Sequence, residues 1–232
     1  MMRKWHRKRR WRCEFGLLAA LWWLTAGAGE VLILGDSISA GYGIERSAGW
    51  VTLLEEGLAE QCPGVTVHNA SVSGETSAGG LRRLPDLLER RSPRVVVIEL
   101  GGNDGLRGLP PDKMGDNLKE MIRLARAADA EPVLLGMKIP PNYGPVYQRR
   151  FERVFTEVAK RQKVPFVDFF LEGLDFGGSH FQADGIHPTA VAQPLLLRNA
   201  WPPLVRALDA AGICAADPRW ALQWNRGAAS GG

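Results

Sequence analysis

Residues 32–43 read LILGDSISAGYG, an apolar run that gives way to a glycine, an acid and a hydroxyl. The apolar run starts at Val31 and continues without a polar residue to Leu34, which is typical of a strand covered on both faces. Strands of this kind belong to parallel sheets with helices packed on either side. Asp36 and Ser37 therefore directly follow a buried strand, where the serine is either a nucleophile or a helix cap.

The rest of the chain alternates short β-rich runs with longer helical stretches. Strands are predicted at 31–34, 65–69, 95–100, 132–138 and 165–169, and helices at 48–59, 81–90, 112–128, 145–162 and 189–211. This alternation predicts an α/β fold, a three-layer α/β/α sandwich around a five-stranded parallel sheet. No linker divides it, so we expect one domain over residues 29–213.

The first 28 residues have the pattern of a secretory signal peptide. Seven of the 29 basic residues lie within the first twelve positions, and the apolar stretch FGLLAALWWLTAGA follows at 15–28. This stretch is short for a bilayer span and ends in Ala-Gly-Ala, a small-residue cleavage pattern. We therefore expect cleavage after Ala28 and a periplasmic or secreted protein. An uncleaved anchor and a basic nucleic-acid-binding arm are the alternatives.

Removal of residues 1–28 would reverse the net charge of the chain. The full sequence has 29 basic and 25 acidic residues, a net charge of +4, whereas 22 basic and 24 acidic residues remain in the mature chain. That balance, near −2, leaves no basic footprint for nucleic acid. Cys62 and Cys214 remain as an even pair, which either forms a disulfide or stays as two independent thiols. Residues 214–232, which end in GAASGG, are predicted to be a disordered tail, with docking of Trp220 and Trp224 as the alternative.

An acid and a histidine stand close together before the last predicted helix. Sheets of this type bind ligands at the carboxyl ends of their strands, and a serine hydroxyl there needs a base, usually an imidazole oriented by a carboxylate. Asp184 precedes His187 by three residues, a spacing that can bring the carboxylate onto the ring. The alternative is that Asp184 caps the last helix. The other two histidines of the mature chain, His68 and His180, have no partner visible in the sequence.

Acyl transfer also needs hydrogen-bond donors aimed at the developing oxyanion. The candidates are the backbone N–H groups of Ser37 and Gly74 and the side-chain amide of Asn103. A single glycine or asparagine after a strand usually only makes a turn. Together with the serine and the Asp184–His187 pair at the same end of the sheet, these positions favour a catalytic interpretation.

Four sequence blocks resemble those of a known family. GDS at 35–37, Gly74 within NASVSGETS, GGNDG at 101–105 and DGIHP at 184–188 are similar, in order and spacing, to the blocks of the SGNH hydrolases, also called the GDSL lipase/esterase family. The similarity extends over nearly all of residues 30–210. It is greatest to the bacterial periplasmic acyl-CoA thioesterase I, arylesterase and lysophospholipase group. The first block reads GDSIS where the family name has GDSLS, a volume-conserving change.

The resemblance implies the flavodoxin-like fold of these hydrolases and the cleavage of carboxylic esters and thioesters. It implies that Ser37 is the nucleophile, that His187 is the base and later the acid, and that Asp184 orients His187. It further implies an oxyanion hole made by Ser37, Gly74 and Asn103. No metal or organic cofactor is expected, and the implied substrates are small esters, thioesters or lysophospholipids.

Four further residues are expected at the substrate cleft: Asp36, Leu106, Asn142 and Ile186. Asp36 has a second interpretation, as a support that holds the turn of the nucleophile. We expect a monomer without nucleic-acid partners and without stable membrane insertion after signal cleavage. The alternatives are a metal-dependent phosphoesterase and a catalytically silent binding domain of the same fold. Three histidines are few for a two-metal site, and no residue of the four blocks is missing.

Overall fold

The computed structural model describes residues 29–224 of the 232-residue chain. Its five strands are β1 Gly29–Gly35, β2 Val65–Asn69, β3 Val95–Glu99, β4 Glu131–Leu135 and β5 Phe166–Val167. They form one sheet in the order β2-β1-β3-β4-β5, and every neighbouring pair is parallel. The predicted five-stranded parallel sheet is confirmed. The predicted signal peptide, residues 1–28, lies outside the described residues.

The central strand β1 hydrogen-bonds to β2 on one side and to β3 on the other. Val31 pairs with Val67 in β2 and with Val95 in β3. Residues 31–34 and all of β3 are buried. These strands are almost entirely apolar because helices cover both faces of the sheet, which leaves no face for polar side chains.

Eight helices connect the strands or follow them. They are α1 Ser37–Ala40, α2 Trp50–Gln61, α3 Ser77–Arg91, α4 Gly102–Leu106, α5 Pro111–Ala127, α6 Pro145–Gln162, α7 Gln193–Ala210 and α8 Trp220–Trp224, all within residues 29–224. Helix α7 packs against α2 and α8, whereas α5 packs against α3 and α6. These two groups form the two outer layers, so the three-layer α/β/α sandwich is confirmed.

The structure differs from the sequence expectation mainly in its short elements. Helices α1, α4 and α8 were not expected, because four or five residues show no helical period. The strand expected over residues 132–138 ends at Leu135, and the chain beyond it leaves the sheet. Residues 137–140 line a cleft instead.

The predicted disorder of residues 214–232 is wrong for residues 214–224. Trp220 is buried and its ring lies 4.9 Å from that of Trp201, measured between centroids. The indole N–H of Trp201 donates to the carbonyl oxygen of Asp217 at 2.9 Å. Burial of two tryptophan rings outweighs the missing apolar period of so short a segment. Residues 225–232 lie outside the described residues.

Cys62 and Cys214 form a disulfide, with their Cα atoms 5.6 Å apart. The sequence left this pairing open. The bond joins the end of α2 to the segment after α7 and so ties the C-terminal segment to the first large helix. Across residues 29–224, the helices are too short or too polar to cross a bilayer.

Candidate active site

The sheet topology opens a crevice beside the residue that follows β1. Strand order reverses between β1 and β3, since β1 connects to β2 on one side while β3 leads to β4 on the other. Gly35 at the end of β1 pairs with Glu99 at the end of β3. Ligands bind at such switch points. The first residue of α1 is Ser37, so its hydroxyl lies at this crevice.

Asp36 builds the turn that presents Ser37. Its side chain caps α1 by accepting the backbone N–H of Ile38 at 3.0 Å. Helix α1 then ends after one turn at Gly41, which has a left-handed backbone. Asp36 is buried, whereas Ser37 is half-buried and faces the crevice.

Ser37, His187 and Asp184 form a continuous hydrogen-bonded chain. The Oγ atom of Ser37 lies 2.9 Å from Nε2 of His187, and Nδ1 of His187 lies 2.6 Å from Oδ2 of Asp184. Ser37 and His187 are 150 positions apart in the chain, so only the fold brings them together. This is the arrangement in which an imidazole removes a proton from a serine hydroxyl.

A tight turn fixes the Asp184 carboxylate. Its Oδ1 atom accepts the backbone N–H groups of Ile186 at 2.9 Å and His187 at 3.0 Å. These bonds, the backbone bond from His187 first, lower the pKa of Asp184 to about 2. An ionised Asp184 can only accept, so His187 Nδ1 carries a proton and Nε2 is left to accept the Ser37 hydroxyl.

Asp184 does not cap the last long helix, the alternative that the sequence left open. Helix α7 begins at Gln193, and a 3₁₀ turn over Ala190–Ala192 precedes it. The carboxylate of Asp184 instead closes its own turn on Ile186 and His187. The hydrogen bonds of Asp184 are therefore all directed to the segment that carries the imidazole.

Two of the three expected oxyanion donors are backbone groups. Within the described part of the chain, no acceptor receives the N–H of Ser37 or of Gly74. Gly74 has φ +77°, a left-handed backbone that glycine adopts without strain. The N–H of Val72 donates to the carbonyl oxygen of Gly35 at 3.1 Å, which holds this loop along the end of β1. Arg107 donates to the carbonyl oxygen of Gly74 at 2.8 Å from the other side.

The third donor is the side-chain amide of Asn103, in α4. One of its Nδ2 hydrogens is donated to Oδ2 of Asp36 at 3.0 Å, which leaves the second hydrogen for a ligand in the cleft. Burial raises the pKa of Asp36 to about 6, while its hydrogen bonds from Ile38 and Asn103 act in the opposite direction. Both carboxylate oxygens of Asp36 thus bind the protein. These contacts agree with the interpretation of Asp36 as a support for the turn of Ser37. A contact between Asp36 and the substrate stays a prediction.

An apolar cleft of about 240 Å³ adjoins Ser37 and His187. The expected residues Leu106 and Ile186 line it. Asn142 does not, because it lies on a 3₁₀ turn over Pro141–Tyr143 and is exposed. Ile139 is also part of the walls, together with residues that the sequence analysis missed: Met137, Lys138, Leu171, Phe176 and Phe181.

The missed cleft residues had weak signals in the sequence. Phe181 is six positions before His187 and forms an isolated bridge with Pro188, but a single phenylalanine in a loop indicates no particular partner. Phe176 stacks on Phe181 with ring centroids 4.5 Å apart and is exposed. In the sequence, the one usable sign of an apolar wall was the presence of Phe176 within the glycine-rich stretch 173–178.

Tyr42 is a further contact of the His187 imidazole that the sequence did not indicate. Its ring lies 4.5 Å from the ring of His187, between centroids, and the side chain is exposed. The backbone N–H of Tyr42 donates to the carbonyl oxygen of Ser37 at 3.0 Å. The turn after α1 therefore covers one side of the imidazole. Over residues 29–224, no group of three or more His, Cys, Asp and Glu side chains is arranged to hold a metal ion.

Comparison with known proteins agrees with the resemblance of the four sequence blocks. The sequence profile of the GDSL-like Lipase/Acylhydrolase family matches residues 33–193 of this chain. That range includes all four sequence blocks and ends at the first residue of α7.

Three similar proteins illustrate the relationship. The esterase TesA of Pseudomonas aeruginosa is 53% identical over 179 residues, which are 77% of this chain and 89% of TesA. Thioesterase 1/protease 1/lysophospholipase L1 of Escherichia coli K12 is 43% identical over 187 residues, 81% of this chain and 88% of that protein. The crystal structure of the psychrotrophic esterase EstA from Pseudoalteromonas sp., inhibited by monoethylphosphonate, has a TM-score of 0.72 and 43% identity, and the match covers 78% of this chain and 99% of EstA.

Proposed function

This chain belongs to the GDSL-like lipase/acylhydrolase family, whose similar members are esterases and thioesterases, and we propose that Ser37 is the nucleophile with which it hydrolyses carboxylic esters and thioesters. The observation that carries the proposal is the chain of two hydrogen bonds from Ser37 through His187 to Asp184. In this proposal the family's reaction, acyl transfer to water, proceeds through a covalent acyl-enzyme.

Acylation begins when Oγ of Ser37 attacks the carbonyl carbon of the ester. The hydroxyl proton passes to Nε2 of His187, which lies 2.9 Å away, and the ionised Asp184 stabilises the imidazolium that forms. The carbonyl oxygen becomes an oxyanion and accepts hydrogen bonds from the N–H groups of Ser37 and Gly74 and from the amide of Asn103. The carbon–oxygen or carbon–sulfur bond then breaks, and His187 gives its proton to the leaving alcohol or thiol.

Deacylation repeats these steps with water as the nucleophile. Water occupies the place of the leaving group, and Nε2 of His187 takes one of its protons as the water attacks the acyl-enzyme. The same three donors hold the second oxyanion, and Ser37 recovers its proton when the acid leaves. Every proton in the cycle moves between substrate, water, Ser37 and His187, so these residues and the three oxyanion donors suffice for the chemistry.

The cleft supports an apolar acyl group as the part of the substrate that the enzyme holds. Its lining residues Met137, Ile139, Phe181 and Ile186 offer mostly apolar surface next to Ser37. Burial of each methylene in such a site contributes up to about 0.8 kcal/mol. We therefore expect kcat/KM to rise with acyl length until the cleft of about 240 Å³ is filled.

An activity panel on purified residues 29–232 tests this function. Aryl esters, acyl-CoA-type thioesters and lysophospholipids of increasing acyl length are compared with the Ser37→Ala variant and with a chelator. The chelator should not inhibit hydrolysis. The Ser37→Ala substitution should lower the rate by at least about 10⁴-fold and leave the circular dichroism spectrum unchanged. Substantial residual hydrolysis by Ser37→Ala, or loss of activity with the chelator, would contradict it.

Export to the periplasm, as a monomer, completes the proposal. The basic and apolar residues 1–28 support it, and so does the Cys62–Cys214 disulfide, because such bonds persist in oxidising compartments. Cell fractionation should find a protein that begins at residue 29 in the periplasm or medium, and light scattering should give the mass of one chain. Retention of the full-length chain in the cytoplasm would contradict export.

A further inference from the structure

Six polar or charged side chains are buried among residues 29–224. They are Asp36, Ser39, Ser77, Glu99, Asp104 and Gln193. Asp36 belongs to the site already described, but the carboxyl group of Glu99 has no part in the proposed cycle. Glu99 is the last residue of β3, it is fully buried, and it lies directly beside Gly35 of the neighbouring strand.

The Glu99 carboxyl group contacts the turn of the nucleophile on both sides of Ser37. Its Oε2 atom accepts the backbone N–H of Asp36 at 3.3 Å and lies 2.6 Å from Oγ of Ser39. A Cβ atom on residue 35 would come within 2.8 Å of the same Oε2 atom. Gly35 is therefore required for the carboxyl group to approach the turn, and Glu99 in turn holds residues 35–39 against the end of β3.

The surroundings of Glu99 favour its neutral form. No described basic side chain forms an ion pair with it, and its Oε1 atom is buried without a hydrogen-bond partner. Burial of an ionised carboxylate with an unpaired oxygen costs much more free energy than burial of the neutral acid. Burial, followed by the nearby charge of Asp36, raises the pKa of Glu99 well above its usual range.

A buried polar chain connects Glu99 to the segment that carries His187. The Oγ atom of Ser39 accepts the indole N–H of Trp50 at 3.2 Å, and the backbone N–H of Trp50 donates to the side-chain oxygen of Gln193 at 2.9 Å. The side-chain nitrogen of Gln193 then donates to the carbonyl oxygen of Thr189 at 3.2 Å, two residues after His187. The chain thus links β3, α1, α2 and α7 behind the crevice.

We propose that Glu99, as a neutral carboxylic acid, is a positioning residue that sets the place of Ser37 relative to His187 through this buried chain. The inference rests on the proposed function of Ser37. Glu99 touches neither substrate nor reacting atoms. It acts because an error of about 1 Å between a nucleophile and its base can cost about 10²-fold in rate.

Matched variants of Glu99 test the proposal. Glu99→Gln keeps the shape, the neutral charge and an acceptor oxygen for Asp36 and Ser39, and it should retain activity within about threefold. Glu99→Leu keeps the volume and removes the acceptor, and it should lower kcat by about ten- to a hundredfold while KM changes less than about threefold. Glu89→Leu, the same change at an exposed position of α3, is the control and should leave both constants unaltered.

Two further measurements keep the test decisive if Glu99→Leu does not fold. Ser39→Ala interrupts the same chain with a smaller change, and it should lower kcat more than it raises KM. Infrared difference spectra of wild type against Glu99→Gln at about pH 8 should show the carbonyl band of a protonated carboxylic acid in wild type only. A carboxylate band there, or a loss in Glu99→Gln as large as in Glu99→Leu, would overturn the neutral form.

The outcomes also separate this inference from the proposed function. Full kcat in folded Glu99→Leu and in Ser39→Ala, together with an inactive Ser37→Ala, would overturn the positioning role alone. Substantial activity in Ser37→Ala would overturn the function on which the inference rests.

Discussion

Residues 35–39, which carry the proposed nucleophile (the nucleophile turn), and residues 184–188, which carry the proposed acid–base pair (the acid–base loop), meet at one hydrogen bond but are held in opposite ways. The turn is mostly buried, and its bonds to Glu99 span 60 and 63 positions of the chain. The loop is largely exposed, with 39% of the Asp184 side chain accessible, and its own hydrogen bonds, including those from Gln182, span only two to six positions. One half of the proposed catalytic pair is therefore positioned by the core and the other mainly by a local turn.

The same contrast separates the carboxylates of the two regions. Hydrogen bonds from the backbone lower the pKa of the exposed Asp184 to about 2, whereas burial raises the pKa of Asp36 to about 6. Substitutions in the acid–base loop should therefore change catalysis with little effect on folding. Substitutions in the nucleophile turn and its supports should change both.

The largest effect is expected in the acid–base loop. Asp184→Asn keeps an acceptor for the backbone N–H groups but no longer holds His187 as the tautomer with Nδ1 protonated, so kcat should fall by about 10⁴-fold. Because Asp184 is exposed and an asparagine oxygen can still accept the backbone N–H groups of Ile186 and His187, the free energy of unfolding should fall by no more than about 1 kcal/mol. Steady-state kinetics and urea unfolding measure the two quantities. A large loss of stability would show that the loop is not a merely local structure.

Removal of the side-chain oxyanion donor should have the next largest effect. Asn103→Ala deletes one of three donors and should lower kcat by about 10² to 10³-fold with little change in KM. It also leaves Oδ2 of Asp36 without its partner, so some stability should be lost as well. Exposed Asn142→Ala is the matched control for both measurements. A change confined to KM would contradict the oxyanion role.

Loss of the Cys62–Cys214 disulfide should lower stability without lowering catalytic activity. Replacement of Cys62 and Cys214 by serine should lower the free energy of unfolding by about 2–4 kcal/mol, since the bond closes a long loop. At about 25 °C, kcat/KM should stay within twofold of wild type, because neither cysteine lines the cleft. Urea unfolding and ester hydrolysis of oxidised, reduced and double-serine protein check this. A large fall in kcat/KM alongside the loss of stability would mean that the nucleophile turn and the acid–base loop depend on the Cys62–Cys214 disulfide.

The smallest effect is a dependence of stability on pH that comes from Asp36. Its folded-state pKa, about 6, lies above the usual aspartate value of 3.8, so its stabilising contribution is complete below about pH 4 and is lost as pH rises through 6. Between about pH 4 and 7, wild type should lose roughly 1–3 kcal/mol of unfolding free energy relative to Asp36→Asn. Urea unfolding across this range gives the difference, and parallel curves for the two proteins would argue against the raised pKa.

The sequence predicted what local patterns encode. Continuous apolar runs such as residues 31–34 predicted buried parallel strands, and five long amphipathic stretches predicted the helices of the two layers. The three-residue spacing of Asp184 and His187 indicated a turn that the structure contains. The resemblance to the GDSL family then indicated Ser37, Gly74 and Asn103 together.

What the sequence did not predict depends on contacts between distant residues. Nothing near Glu99 indicates a partner in Ser39, and Gln193 looks like an ordinary first-turn residue of α7. Helices α1 and α4 are too short to show a period, although they carry Ser37 and Asn103. Asn142, expected at the cleft, lies instead on the exposed 3₁₀ turn over Pro141–Tyr143, outside the residues that line it. These features depend on contacts between residues that are distant in the sequence, so no short stretch of neighbouring residues predicts them.

The central claim is that an acyl group passes through Ser37. Purified protein should be mixed with an aryl ester whose acyl-enzyme deacylates slowly, quenched in acid and analysed by intact mass and peptide mapping. The account predicts one acyl group per chain on Ser37, formed together with a burst of aryl alcohol, and no modification of Ser37→Ala. An acyl group on another residue, or hydrolysis by Ser37→Ala at the wild-type rate, would contradict it.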